Sequence, residues 1–136
     1  MRTLYYSHPD FLSHNTGQEH PECADRLRAI DKALAQPKFA NLIRVVPPIG
    51  TDQQIGLVHP IEHIQHIRSA IPAEGFHHLD PDTVLSTGSK AAAYRAVGTV
   101  CDAVDQILTG KADNAFCAVR PPGHHAEPKR AMGFCL

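Results

Sequence analysis

AFCAV, residues 115–119, is an unbroken apolar run that lies between an Asp-Asn turn and the Pro-Pro pair of residues 121–122. A strand with one face in water alternates apolar and polar side chains, whereas a continuous apolar run is typical of a strand covered on both faces. Such strands occur in parallel sheets that lie between helices. This segment therefore predicts a buried strand and an α/β fold.

Other segments of the chain support the same fold class. Short β-prone runs at Thr3–Tyr6 and Leu42–Val46 predict two more strands. Apolar residues at helical spacing predict helices that open at residues 20–22, at Pro60 and near Ser89. Strands that alternate with helices indicate a parallel sheet flanked by helices. Three or four modest strands are few for an open sheet, so we expect the C-terminal part of the sheet to be absent.

The longest predicted helix, which begins near Ser89 and ends before Gly110, carries a broad apolar face. Its apolar residues recur at three- and four-residue spacing, which places them on one side of a helix. We expect this face to be buried and Ser89 or a neighbour to cap the helix. The residues of the face are Ala93, Val97, Val100, Cys101, Val104, Ile107 and Leu108.

Composition narrows the class of protein. The chain has 136 residues, a net charge of −1 and 43% hydrophobic residues, which suits one globular domain. A near-neutral chain has no field that would attract nucleic acid or a membrane surface. No apolar stretch approaches the ~20 residues of a membrane helix, and the N-terminus lacks a signal-peptide pattern. With four cysteines and no C-x-x-C pair, we expect a cytoplasmic protein.

Two adjacent histidines follow the predicted buried strand. His124 and His125 come directly after Arg120-Pro-Pro-Gly123. Ligands of open α/β sheets bind beyond the carboxyl ends of the strands. The two prolines make the turn stiff, and an irregular turn allows both rings to face one pocket. The sequence therefore predicts a binding or catalytic site at this histidine pair, because acid–base catalysis needs groups held within hydrogen-bond reach.

The C-terminal stretch RPPGHHA…AMGFCL resembles the signature of the zinc-dependent histone deacetylase family. It is most similar to the class II, bacterial and acetylpolyamine amidohydrolase branches. Earlier segments resemble the family in the same order: residues 18–27 its "HPE…RL" element, residues 58–64 its "vH…eyi" helix start, and residues 80–98 its "D-x-D-T…AA…G" block. The resemblance implies an arginase-like α/β fold and hydrolysis of an acyl amide on a lysine or polyamine.

The resemblance also implies roles for particular residues. His125 would be the general base and acid, and His124 an electrostatic partner that steadies developing charge. Phe134 would form one wall of a narrow channel for the acyl-lysine stem, and Gly133 would let the backbone approach that stem. Asp82 would sit at the channel rim and accept hydrogen bonds from the substrate backbone, with Asp80 as the alternative.

The family's zinc ligands, an Asp-x-His pair and a further Asp, follow its phenylalanine-cysteine element, here Phe134-Cys135. The resemblance therefore implies zinc as cofactor, and we assign no metal ligand within residues 1–136. We expect residues 1–136 to form the N-terminal part of a single deacetylase domain that is inactive alone. The expected partners are an acetylated lysine or polyamine substrate and the missing C-terminal part or another chain, with a second copy in a homo-oligomer as an alternative.

Two other interpretations compete. His59-Pro-Ile-Glu-His63 matches the H-x-x-E-H pattern of zinc peptidases, with Glu62 as base. Pro60 argues against it, because a proline at the first helical position leaves His59 off the helix. The chain is alternatively a non-catalytic binding or regulatory module that reads acylated amines without cleaving them.

Overall fold

The computed structural model describes residues 1–136 and contains a three-stranded parallel sheet and a separate antiparallel hairpin. The parallel sheet has the order β2-β1-β5, from β1 (Thr3–Tyr6), β2 (Ile43–Val45) and β5 (Asn114–Cys117). The hairpin pairs β3 (Phe76–Asp80) with β4 (Thr83–Ser86). The helices are α1 (Asp10–Ser13), α2 (Asp25–Leu34), α3 (Asp52–Ile55), α4 (Ile61–Ala70) and α5 (Ser89–Leu108), with a 3-10 turn at Pro37–Phe39.

β1 is the middle strand of the parallel sheet and carries the core on both faces. Tyr5 packs with Phe11 and Leu27 on one face. Tyr6 lies in a second cluster with Ala103, because successive side chains of a strand point to opposite faces. The expectation of a parallel sheet flanked by helices is confirmed, and its three strands fall within two residues of the predicted positions.

β5 is less covered than the sequence indicates. It pairs with β1 along one edge only, and Phe116 is 47% exposed. The expectation that both faces of this strand are covered is therefore wrong for Phe116.

The predicted buried face of α5 is wrong in its details. Val104 is about half exposed, and Leu108 is 80% exposed. The residues that α5 buries are small, among them Ala92, Gly98 and Ala103. A Cβ at Gly98 would lie 2.4 Å from the Pro48 carbonyl oxygen, so this face meets backbone at close range and excludes larger side chains. Of the larger apolar residues, Val97 and Val100 line an open cavity, and Val104 and Leu108 are exposed.

One helix start differs from the sequence-based expectation. α2 begins at Asp25 and not at residues 20–22, because the Glu22 carbonyl accepts a hydrogen bond from the Thr16 hydroxyl at 2.6 Å and its carboxylate is held elsewhere. α5 begins at Ser89 as expected, with the neighbouring Gly88 at its N-cap, but no side chain caps the helix. Ser89 instead accepts a hydrogen bond from the Ser86 N–H at 2.8 Å.

The β3–β4 hairpin is absent from the sequence-based expectation. β3 contains the exposed His77-His78 pair, and β4 is buried along its whole length. Because β3 lacks the apolar–polar alternation that signals a half-buried strand, periodicity gives no sign of it. The hairpin matters for the site because its turn, residues 80–83, lies against the C-terminal segment.

Candidate active site

The turn after β5 begins at a buried ion pair. Arg120 is fully buried and donates through Nε and Nη2 to the two carboxylate oxygens of Glu22, at 2.6 and 2.8 Å. Its Nη1 donates to the Phe11 carbonyl oxygen at 2.7 Å. A bidentate pair of this kind fixes orientation as well as distance. The first residue of the Arg-Pro-Pro-Gly turn is therefore anchored to two other parts of the chain.

The structure brings the histidine pair together at the end of this turn. The ring centroids of His124 and His125 are 4.3 Å apart, and the ring planes are inclined by 59°. The backbone N–H of His125 donates to the Cys135 Sγ at 3.3 Å. Both histidines are exposed in this chain. Two imidazoles so placed, with nitrogens open to solvent, are able to accept and donate protons at a neighbouring group.

A tight turn places Gly133 and Phe134 beside the pair. Met132 and Cys135 exchange two backbone hydrogen bonds of 3.0 Å, and φ is positive at both residues between them, +57° and +69°. These values are those of a type I′ turn. A Cβ at Gly133 would lie 3.1 Å from the His125 Cβ, so the absence of a side chain lets the turn approach that ring.

The two aspartates of the β3–β4 turn have different environments. Asp80 accepts hydrogen bonds from the backbone N–H groups of Asp82 and Thr83, at 3.0 and 2.6 Å. Burial raises the pKa of the Asp80 carboxyl, but hydrogen bonds from Thr83 and Asp82 outweigh burial and lower the pKa overall. Asp82 is exposed and is tied to its surroundings by its carbonyl, which accepts from His20 Nε2 at 3.0 Å. Of the two residues, Asp82 is the more exposed.

A cavity of about 1050 Å³ opens between α4, α5 and the C-terminal segment. His124 and Phe134 both line it, whereas His125, Gly133 and Asp82 lie outside its lining. More than half of the lining residues are hydrophobic, and α5 contributes more of the wall than any other element, including Val97 and Val100 of the predicted apolar face. The structure therefore unites two of the five predicted site residues in one pocket and packs two others directly behind them.

The H-x-x-E-H residues do not form a metal site. The rings of His59 and His63 are stacked, with centroids 4.6 Å apart, and His59 Nδ1 lies 3.0 Å from the Pro128 carbonyl oxygen. Burial lowers the pKa of His63, as does His59, while a hydrogen bond to the Lys129 backbone opposes them. Glu62 is exposed. The peptidase interpretation is wrong for this geometry, since stacked rings do not converge on an ion.

Nowhere do three or more His, Cys, Asp or Glu side chains meet in a geometry that could hold a metal ion. The zinc that the resemblance implies therefore does not fit a ligand set made of these residues alone. What this part of the site supplies is imidazole, an aromatic wall and apolar surface.

Sequence reasoning missed the residues that support the site: Glu22, Arg120, Thr83 and His20. Glu22 and Arg120 stand in the quoted motifs, but a pair separated by 98 positions leaves no local pattern. Arg120 precedes a stiff turn and Glu22 lies in a helix-start pattern, and both positions are typical of surface charges. Only the burial of Arg120 reveals their connection.

The fold and site are those of an α/β protein with a histidine pair at the end of a parallel strand, packed against a glycine-phenylalanine turn. Comparison with known proteins gives the family. The model of the histone deacetylase domain matches residues 20–136. The chain belongs to the histone deacetylase family.

Individual relatives are similar over most of this chain. Histone deacetylase 5 of Arabidopsis thaliana is 35% identical over 130 residues, which cover 88% of this chain and 19% of the relative. The histone deacetylase-like amidohydrolase of Pseudomonas aeruginosa is 35% identical over 118 residues, 87% of this chain and 30% of the relative. The crystal structure of the HDA15 HD domain matches with a TM-score of 0.92 and 34% identity, over 99% of this chain and 40% of that one.

The chain thus corresponds to part of what its relatives contain. It spans between 19% and 45% of the length of the first curated relatives that it matches. The partial arginase-like fold that the resemblance implies agrees with the close match to a deacetylase domain over 40% of that domain's chain. None of the helices combines the length and apolar character that crossing a membrane requires.

Proposed function

We propose that this chain supplies the histidine side of a site that hydrolyses an acyl amide on a lysine or polyamine. The observation that carries the proposal is the contact between the His124–His125 pair and the Gly133-Phe134 turn at the end of β5. The names of the relatives, which include deacetylases and an amidohydrolase, support the same reaction class.

We expect His125 to transfer the protons of the reaction. Amide hydrolysis requires a base for the attacking water and an acid for the leaving nitrogen, and one imidazole is able to serve both steps in turn. His125 is exposed and is held by its backbone N–H on the Cys135 Sγ and by the close approach of Gly133 to its side chain. His124, 4.3 Å away, would act on the charge that develops beside it.

Phe134 and Asp82 would bind the substrate. Phe134 lines the same cavity as His124, so an aliphatic stem that lies along the phenylalanine ring would bring its amide toward the histidines. Asp82 would accept hydrogen bonds from the substrate backbone at the rim. A protein acetyl-lysine and an acetylated polyamine share the stem and the amide, and both belong to the proposed substrate class.

The zinc ion that the family resemblance implies would have to be held by other polypeptide, in the same protein or another chain. The uncovered apolar surface of this chain includes Phe116 of β5, Val104 and Leu108 of α5, and the wall of the cavity. We propose that the partner polypeptide covers this surface, or that a second copy does so in a homo-oligomer. The 136 residues alone would not turn over substrate.

A chimera tests the function. Residues 1–136 replace the matching segment of the Pseudomonas aeruginosa amidohydrolase, and hydrolysis of an ε-acetyl-lysine peptide is measured with added zinc. We expect turnover by the chimera and a loss of about 10²- to 10⁴-fold in kcat for His125→Ala, the usual contribution of general acid–base catalysis. His77→Ala, which changes an exposed histidine of β3, is the matched control and should retain activity.

Two results would contradict the proposal. One is a folded chimera that hydrolyses no acyl amide, and the other is a His125→Ala chimera as active as its parent. Binding of the acetyl-lysine peptide without turnover, abolished by Phe134→Ala, would instead favour a binding module.

A further inference from the structure

Phe134 holds a backbone conformation that its side chain disfavours. Its φ is +69°, in the left-handed region that residues other than glycine, asparagine and aspartate seldom adopt. Positive φ at a bulky residue costs free energy and persists only where surrounding contacts fix it. The Met132–Cys135 hydrogen bonds close the turn, but they leave the N–H of Phe134 free to seek another partner.

Thr83 provides that partner. Its Oγ1 accepts a hydrogen bond from the Phe134 N–H at 3.2 Å, across 51 positions of sequence. The same hydroxyl donates toward the Asp82 Oδ1 at 3.3 Å. Thr83 is completely buried, and its own N–H is held by Asp80 at 2.6 Å, so the hydroxyl has a fixed position and no contact with solvent.

His20 forms a second connection between the same two residues. Its ring packs edge-on against the Phe134 ring, with centroids 5.0 Å apart. Its Nε2 lies 3.0 Å from the Asp82 carbonyl oxygen, which can only accept, so Nε2 is the donor in this contact. Its Nδ1 lies 3.1 Å from both the backbone nitrogen and the carbonyl oxygen of Glu22. Phe134 and Asp82 are therefore linked through two separate side chains.

We propose that Thr83 is a positioning residue that fixes Phe134 relative to Asp82, with His20 as its support. The inference rests on the proposed function, in which Phe134 is the channel wall and Asp82 the rim acceptor. Thr83 sets the distance between them, and hence the fit of a substrate whose backbone binds at the rim and whose stem lies along the wall. Thr83 itself touches no substrate because it is buried.

Two substitutions of Thr83 in the 136-residue chain separate the hydroxyl from the packing. Thr83→Val keeps the shape and removes the hydroxyl, while Thr83→Ser keeps the hydroxyl and removes a methyl group. Amide hydrogen exchange of Phe134, followed by NMR, is the readout. We expect exchange about fivefold faster in the valine variant, the factor that a hydrogen bond of ~1 kcal/mol corresponds to. In the serine variant, exchange should stay within about twofold of the parent chain once global stability is taken into account.

The exchange of β1 amides and the urea midpoint report global stability in each variant, so a general loosening is distinguishable from a local one. The His20 ring signals should move in the valine variant and stay in place in the serine variant. Equal exchange of Phe134 in the parent and valine chains would overturn the proposal, as would equal acceleration by serine and valine. If the valine chain fails to fold, the parent chain decides. An unprotected Phe134 amide in the parent chain would show that Thr83 does not hold this N–H, which would overturn the proposal.

Titration with an ε-acetyl-lysine peptide tests the link to function separately. We expect the valine variant to bind at least fivefold more weakly than the serine variant. If no variant binds peptide, the proposed substrate class fails for this chain, and the exchange of Phe134 still decides whether Thr83 positions it.

Discussion

Removal of the Glu22 carboxylate is the perturbation with the largest expected effect on this chain. Glu22→Ala leaves the Arg120 guanidinium buried with the Phe11 carbonyl as its remaining acceptor. Two charge-assisted hydrogen bonds, each contributing about 1.5–3 kcal/mol, are lost together. The expected loss in the free energy of unfolding is about 3–5 kcal/mol, as measured when one partner of a buried ion pair is removed.

The loss is measured by urea denaturation followed by circular dichroism at low temperature. Glu22→Gln keeps one carbonyl oxygen for Arg120, so its free energy of unfolding should fall by about half as much as that of Glu22→Ala. Glu127→Ala is the matched control, because it removes an acid from an exposed pair with Arg130 at 3.3 Å. Exposed pairs contribute about 0–1 kcal/mol, so this variant should remain close to the parent chain.

The outcome that would refute this reasoning is a Glu22→Ala chain within about 1 kcal/mol of the parent. Arg120 would then not depend on the carboxylate, either because water reaches it or because another group compensates. An effect equal to that of Glu127→Ala would lead to the same conclusion. The turn that carries His124 would in that case be fixed by its prolines alone.

Two further predictions concern His14 and Gly133. Burial lowers the pKa of His14 from 6.5 to about 4; between those pH values the unfolded chain binds a proton that the folded chain does not, so stability should fall by about 3 kcal/mol as the pH drops. Urea titrations at pH 7 and 4.5 check this, and an unchanged pH dependence in His14→Gln would contradict it. Gly133→Ala should destabilise more than Gly75→Ala: each places alanine at positive φ, at a cost of about 1–2 kcal/mol, but only the Gly133 Cβ would meet a neighbour, His125. Equal unfolding midpoints for the two variants would show that the Met132–Cys135 turn adapts to the added Cβ without a loss of stability.

Local motifs were sufficient to point to the candidate site, but not to its supports. The Pro-Pro-Gly-His-His order leads to the histidine pair, and the structure places those rings 4.3 Å apart. Thr83 and His20 join the site through contacts with residues more than 50 positions away. A polar residue that becomes buried through such a contact has the same local pattern as one on the surface. Periodicity therefore has no means of identifying it.

Much of the fold followed from the apolar pattern, and its errors have a common cause. The three parallel strands and the long helix lie where apolar spacing predicts them. Apolar spacing shows which side of a helix avoids water, but it does not show whether anything in this chain covers that side. The broad face of α5 was therefore predicted to be buried, although it is largely uncovered. The β3–β4 hairpin escaped notice because its first strand is mostly polar and exposed.

The sequence by itself determined the α/β class, the order of the main elements and the chemical groups available for catalysis, because these depend on spacing between near neighbours. Tertiary structure decided that Arg120 is an internal ion-pair partner, that Phe134 takes a left-handed backbone, and that Asp80 is committed to a turn while Asp82 faces solvent. Each of these depends on which distant groups share a low-dielectric space, and that is settled only when the chain has packed.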